Sequence, residues 1–219
     1  MQITLDFVAD ILCPWCHIAR RRLDQACVSL AATGLAVGWV WRPYLLHTDA
    51  PAGGTPQDVH LPRRFCSTEA ADRYHAGVVE AGRAVGVNFS YERIARTPSA
   101  VDAHRLLLSV EGGAAQAHLA ETLATAFFTE GQDIGDRTVL VELGASTGMD
   151  AQAVWAMLDG DAFTAEVYAS DRAAKRAGIS GVPAFCLYGR ILRVPDPASL
   201  DDVIARAHRA LAGGHGARA

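Results

Sequence analysis

Cys13 and Cys16 stand three residues apart in the stretch Asp10-Ile11-Leu12-Cys13-Pro14-Trp15-Cys16-His17. Two thiols at that spacing can exchange disulfides, supply half of a zinc site, or fill a core. A zinc site needs a second Cys or His pair nearby in sequence, and Cys27, Cys66 and Cys186 are isolated. His47, His60, His75 and His118 show no ligand spacing with acidic or Cys partners, so no metal site is expected. The neighbouring pattern favours redox chemistry over core filling. Ile3, Leu5 and Phe7 alternate with Thr4 and Asp6, the period of a strand; Cys16, Leu23, Cys27 and Leu30 then recur at helical spacing. The two thiols therefore lie where a strand hands over to a helix.

That location sets their roles. The first turn of a helix has free backbone N–H groups and the positive end of the macrodipole, so a thiolate at Cys13 is favoured and reactive at neutral pH. Pro14 suits the first helical position, where its missing N–H costs nothing. Cys16 turns toward the core, close enough to close a disulfide with Cys13. Cys13 is thus expected as the exposed nucleophile and Cys16 as the resolving thiol. Trp15 is expected to shield the pair and give substrate an apolar contact. Asp10 either accepts the proton of the second thiol or caps the helix. His17 reads as an exposed helical histidine or a local charge near the helix start. Arg20, Arg21 and Arg22 read as a solvated helix face. Cys27 and Cys186 read as inert core residues, and Cys66 as oxidisable if exposed.

The rest of the chain must position this pair. Its 219 residues bound it to one domain or a domain with an insertion. Half the residues are hydrophobic and a fifth charged, enough for a real core. The net charge of -4 gives no support for nucleic acid or an anionic membrane as partner. No apolar run approaches the roughly 18 residues of a membrane span. The first apolar stretch, interrupted by Asp6 and Asp10, reads as a strand, so no signal peptide is expected and a cytoplasmic location is.

The periodicities predict a strand at 2–8, a helix at 14–32 stopped at Gly34, and a strand at 35–44, a right-handed parallel crossover unit. A Pro, Gly, Asp and His-rich loop follows over 43–62. Helices are predicted at 62–85, 98–110 (started by Thr97 or Ser99), 114–129, 137–146, 151–158 and 163–177, with Asp136 and Asp150 as caps. A hairpin is predicted at 184–194, turning at Gly189-Arg190, then a helix at 200–211 opened by Asp196-Pro197 and Ser199. The tail from Gly213 to Gly216 is expected to fray. The sum is α/β: a thioredoxin-like fold with an inserted all-helical lobe. Residues 1–60 and 179–219 would form a discontinuous thioredoxin-like domain and 61–178 the helical one, with the substrate groove between them.

Asp10-x-x-Cys13-Pro14-Trp15-Cys16, Arg21-Arg22-Leu23, Ala103-His104-Arg105-Leu106, Phe127-Phe128-x-Glu130-Gly131-x-Asp133-Ile134 and Gly181-Val182-Pro183 together carry a resemblance. In them the chain resembles the DsbA superfamily of thioredoxin-fold proteins, and within it the cytoplasmic FrnE-like branch. It departs from that branch at Ser99-Ala100, ahead of the His-Arg pair, and at Arg193-Val194-Pro195, at the end of the second hairpin. The resemblance implies a cis Val182–Pro183 bond beside Cys13, guiding an extended substrate. It also implies a groove in which Pro14, Trp15, Val182, Pro183 and His104 contact substrate. Arg105 and Asp133 either line that groove or bond within the helical lobe.

Three functions compete at this point. The first is thiol–disulfide oxidoreductase, with Cys13 and Cys16 catalytic, protein or small-molecule disulfides as partners, and no cofactor beyond glutathione as a co-substrate. The second is a glutathione-dependent isomerase or kappa-type transferase, such as 2-hydroxychromene-2-carboxylate isomerase. Those proteins usually carry Ser in place of the first Cys. The third is a non-enzymatic redox sensor or peptide-binding module.

Overall fold

The structure is a computed structural model, and it describes residues 2–51, 53–194 and 199–213. β1 (Gln2–Ala9) buries Ile3, Leu5 and Phe7 on one face and turns Gln2 and Thr4 to solvent, as alternation requires. After α1 (Pro14–Ala32), β2 (Ala36–Pro43) returns parallel to β1, pairing Leu5 with Trp39 and Phe7 with Trp41. The helix between them ends where Gly34 adopts φ 86° and the Leu35 N–H reaches back to the Leu30 carbonyl. That bond uses Leu35, so the strand starts one residue later than its periodicity suggests.

The chain next crosses a two-stranded ribbon, β3 (Thr55–Pro56) against β4 (Arg96–Thr97), which the sequence pattern did not signal. Between those strands lie α2 (Gln57–Arg64) and α3 (Thr68–Arg83) in place of the single predicted helix from 62. Phe65 is extended (φ -125°) and breaks the run. Ser67 then caps α3, its hydroxyl accepting from the Ala70 N–H at 3.2 Å. Pro62 falls inside α2, so it does not mark a helix start. A single turn of 3-10 helix at Tyr91–Arg93 follows.

α4 (Val101–Leu108), α5 (Ala114–Phe128), α6 (Arg137–Ser146), α7 (Ala151–Asp159) and α8 (Thr164–Arg176) complete the helical segment. Ser99 precedes the α4 cap, Ala100, by one residue, and its hydroxyl receives the Val101 N–H at 3.5 Å. Asp136 and Asp150 cap α6 and α7, each carboxylate taking a first-turn N–H at 2.7 Å. Gly131 shows why its motif requires glycine. Its φ is 75°, and a Cβ there would lie 2.4 Å from the Arg93 carbonyl oxygen. That close approach holds the Tyr91–Arg93 turn against the end of α5.

β5 (Ala184–Leu187) pairs antiparallel with β1, and β6 (Arg190–Leu192) pairs antiparallel with β5, giving the order β2-β1-β5-β6. The hairpin turns on Tyr188-Gly189, one residue earlier than predicted. Both have positive φ (52° and 72°), as a two-residue turn matched to the strand twist demands. α9 (Leu200–Gly213) packs on α1. Pro195, Asp196-Pro197 and the tail 214–219 lie outside the described residues. Phe7 sits at the centre, its ring 5.3–5.8 Å from those of Trp39, Trp41 and Phe185. The buried apolar residues run without interruption from there to Leu106, Leu123 and Phe128. Sheet and helical segment therefore share a core, and the helical segment begins at Gln57, ahead of the expected boundary at 61.

Candidate active site

Asp10 ends the link from β1, and its backbone carbonyl accepts the Cys13 N–H at 3.1 Å. Cys13 is the N-cap of α1, its carbonyl accepting from the N–H groups of Cys16 and His17 at 3.0 and 3.2 Å. No side chain caps this helix end. Asp10 is thus not the cap. Its carboxylate instead takes the Leu12 N–H at 2.9 Å and the Leu46 N–H at 2.7 Å.

Cys13 is only 5% exposed, against the expectation of an exposed thiol, because the helical segment roofs it. It nonetheless lines a groove of about 550 Å³, whereas Cys16 does not reach it. The Cys13 thiol points at the Val182 carbonyl, 3.7 Å away, and the Val182–Pro183 peptide is cis. Pro14, Trp15 and Val182 share that wall, with Trp15 39% exposed at its rim. Pro183 lies behind the groove, beside Phe185 and Leu192. The five cysteines are free thiols. Burial, the hydrogen bond to Cys13 and the Cys13 charge push the Cys16 thiol well above its usual range; the Asp10 backbone opposes them, and the Asp10 carboxylate adds to them. One accessible sulfur backed by one enclosed, reluctant thiol is an arrangement that can attack, trap and then resolve a disulfide.

The opposite wall comes from α2, α3 and the Tyr91 turn. Tyr74 and Tyr91 stand near enough to Cys13 for its charge to add to the burial that raises both phenols. His75 stacks on Tyr91 at 3.8 Å. His60 and Arg64 line the groove and also a neighbouring cavity of about 470 Å³ with His47 and Arg63. Burial, with His47 and Arg64 close by, lowers the His60 pKa. These wall residues escaped the sequence reading because they lie in the loop and helix whose boundary was misplaced. The one signal was local: one histidine, two arginines and an aromatic within 60–65.

Three further expectations, on His104, Arg20 and His17, are corrected. His104 does not line the groove. It is 0% exposed, behind the pair, with Nδ1 accepting the Trp41 indole N–H at 3.1 Å and Nε2 3.6 Å from an Asp10 oxygen. Arg105 and Asp133 take the second of their two expected roles, bonding within the helical segment: Arg105 donates to the Met157, Leu158, Gly160 and Ala162 carbonyls. Asp133 pairs loosely with Arg96 and closes its own turn onto the Gly135 N–H. Arg20 is buried and bound to Asp24 and Glu121, so only part of the arginine run is solvated. Among the other thiols Cys66 is exposed. Cys27 is half-buried, and burial next to Asp24 pushes its thiol up to about 11.

His17 is the third of these corrections. It is buried between Phe89 and Phe128, and burial, reinforced by Arg20 and Arg21, lowers its pKa from 6.5 to about 3. Glu121 lies 3.9 Å from its Nδ1 but is already engaged by Arg20. The unfolded chain protonates this ring near 6.5 and the folded chain only near 3, so between those values the unfolded state binds the extra proton. Stability is therefore full above pH 6.5 and falls as the pH drops through that window, by about 2 kcal/mol at pH 5. Urea unfolding at pH 7 and pH 5 measures this. His17→Phe should flatten the difference, and an unchanged acid slope would contradict the assignment.

Among the described residues no group of three or more His, Cys, Asp or Glu gathers to hold a metal ion, and no helix is long and apolar enough to cross a membrane. No curated protein sequence matches the chain. Among solved structures it is similar to the probable DsbA oxidoreductase SCO1869 of Streptomyces coelicolor, at 25% identity and TM-score 0.79, covering 99% of this chain and 92% of that one. It is similar to the cytosolic disulfide reductase DsbM of Pseudomonas aeruginosa with GSH, at 24% identity and TM-score 0.62, covering 95% and 99%. It shares the fold of a 2-hydroxychromene-2-carboxylate isomerase, at 14% identity and TM-score 0.67, covering 99% and 100%. The family model of the DSBA-like thioredoxin domain matches residues 4–205. With a strand-to-helix dithiol, a Val182–Pro183 loop facing it and a helical segment roofing both, the chain belongs to the DSBA-like thioredoxin domain family.

Proposed function

We propose that this protein is a thiol–disulfide oxidoreductase in which Cys13 is the nucleophile and Cys16 the resolving thiol. The observation that carries this reading is that Cys13 opens to the groove beside Val182 while Cys16 is enclosed behind it. The Cys13 thiolate attacks one sulfur of a substrate disulfide, forming a mixed disulfide and releasing the first substrate thiolate, which takes a proton from water. Cys16 passes its proton to Asp10 and attacks the Cys13 sulfur. The second substrate sulfur leaves as a thiolate, which takes a proton from water, and the Cys13–Cys16 disulfide forms, so two electrons have moved from the dithiol to the substrate. The opposite direction runs through the same intermediates. Pro14, Trp15, Val182 and Pro183 would shape the approach of the substrate sulfur.

Glutathione is the co-substrate this groove suits. His60 and Arg64 supply donors for carboxylates across the groove from Cys13, and the similar DsbM structure holds GSH. A cytoplasmic setting fits a reducing thiol of this kind. Arg64→Ala should raise the KM for glutathione about tenfold with little change in kcat, the loss of one charge-assisted contact at a solvent-facing rim. Steady-state kinetics over glutathione concentration decides it; an unchanged KM removes Arg64 from the site.

The isomerase fold shared with this chain supports a second reading, a glutathione-dependent isomerase or transferase. Insulin reduction and disulfide oxidation, each with and without glutathione, separate the readings. An oxidoreductase turns over disulfides and requires both cysteines. An isomerase requires glutathione but not Cys16. A sensor or peptide-binding module turns over neither substrate.

A further inference from the structure

Behind the pair, on the side away from the groove, lies a polar cluster that the exchange steps leave unexplained. Asp10 is 1% exposed and His104 fully buried. An indole nitrogen can only donate, so the bond from Trp41 Nε1 to His104 Nδ1 at 3.1 Å requires that Nδ1 carry no proton. The neutral ring must then hold its proton on Nε2. Protonating Nδ1 as well would set two N–H groups against each other and break the bond from Trp41. Nε2 has no hydrogen-bond partner and faces Asp10 Oδ1 at 3.6 Å, a few tenths of an ångström beyond a bond. Asp10 already accepts two backbone N–H groups, and His104 Nε2 aims a third donor at it from just beyond bonding distance. Arg20 and His17 of α1 share a small cavity with Asp10. Glu121 of α5 binds Arg20 beyond it. The Asp171–Lys175 pair of α8 binds the backbone of Leu45, beside the Leu46 amide. At the start of α1, the Cys13 N–H bonds the Asp10 carbonyl, and the Asp10 carboxylate stands near enough to Cys16 for its charge to raise that thiol.

We propose that His104, held by Trp41 as a neutral Nε2–H donor, is a positioning residue that keeps the buried Asp10 carboxylate ionised and aimed to take the Cys16 proton in the resolving step. This rests on the oxidoreductase reading, in which Asp10 is the proton acceptor. Burial of Cys16 makes such an acceptor necessary, because the enclosed thiol must ionise before it can attack. An imidazole that itself charged would exchange protons with Asp10 and blur its role. The Trp41 contact prevents that.

The test uses 5,5′-dithiobis(2-nitrobenzoate) with the reduced full chain in a Cys66→Ser background, since Cys66 is exposed. Cys13 attack releases one coloured thiolate and Cys16 resolution releases the second, so stopped-flow absorbance separates the steps. His104→Met should leave the first release unchanged, slow the second about tenfold near pH 6, and move its acid limb up by about one pH unit. His104→Gln, whose amide can accept from Trp41 and donate toward Asp10, should restore most of the rate. Nitrogen-15 shifts of His104 should show Nδ1 unprotonated from pH 5 to 8, and the ring should titrate in Trp41→Phe. A wild-type pH profile in His104→Met, equal slowing of both releases, or a His104 that titrates in the unmodified ring environment overturns the proposal. If Asp10→Asn slows the second release and His104→Met does not, only the His104 role fails. If Asp10→Asn has no effect, the proton-acceptor reading fails and takes the proposal with it. If the parent protein gives no second release, the resolving role of Cys16 is the part that is wrong.

Discussion

Cys16→Ser should accumulate a stable mixed disulfide with substrate through Cys13, whereas Cys13→Ser should lose disulfide exchange by on the order of a thousandfold or more and trap nothing. The asymmetry follows from where the two sulfurs sit. Cys13 is the first residue before α1, beside free helix N–H groups, and it faces the groove and the Val182 carbonyl. Cys16 lies one helical turn deeper, buried and reluctant to ionise, so it cannot begin exchange with an outside disulfide. Once Cys13 carries the substrate, Cys16 is the nearest thiol, and intramolecular attack far outpaces any bimolecular competitor. A serine at 16 removes that step and leaves the first intact. Incubation with a disulfide-bonded protein, alkylation and mass spectrometry read the outcome. Equal trapping by both variants would remove the order of attack, and trapping by Cys13→Ser alone would reverse it.

Arg105→Ala should cost about 3–5 kcal/mol of stability, lowering the melting temperature by roughly 10 °C for a chain of this size. Arg105 is buried on α4, and its guanidinium donates at 2.6–2.7 Å to the Met157, Gly160 and Ala162 carbonyls and at 3.3 Å to that of Leu158. These carbonyls close the end of α7 and the link into α8. A helix C-terminus leaves its last carbonyls unpaired, and here one side chain satisfies them from a neighbouring helix. Its remaining contact is Asp102, which keeps Arg137 as a second partner at 3.1 Å if Arg105 is lost. The cost therefore falls on the buried carbonyls rather than on an orphaned carboxylate. Arg105→Lys should recover only a small part, because one ammonium cannot fork to four oxygens. Thermal and urea melts at pH 7 measure it. A loss below about 1 kcal/mol would mean that water replaces the guanidinium at those carbonyls.

The placement of the two thiols was legible in local sequence because it depends on neighbours along the chain. Residues three apart at a strand-to-helix junction must share the first turn of the helix, so Cys13, Pro14 and Cys16 could be placed from spacing alone. Asp136 and Asp150 were legible for the same reason: a cap bonds N–H groups two or three residues away. The thioredoxin-like order of strands followed from the length of the first crossover and from the returning hairpin.

What the sequence could not decide were contacts between distant elements. His17 and Arg20 carry polar side chains at positions that an isolated helix would leave wet. Only the packing of α5 and of Phe89 against α1 buries them, so their charge states are set by residues some 70 to 110 positions away. Cys13 looked exposed for the same reason, since nothing near it in sequence shows that α2, α3 and Tyr91 roof the groove. The boundary between α2 and α3 was misread because Pro62 looked like a helix start, whereas the break is made by an extended Phe65 and a capping Ser67. His104 was the furthest from legible. Its motif placed it on a helix, but its meaning lies in a tryptophan from β2 and an aspartate from the end of β1, brought to the two nitrogens of one ring by the shared core.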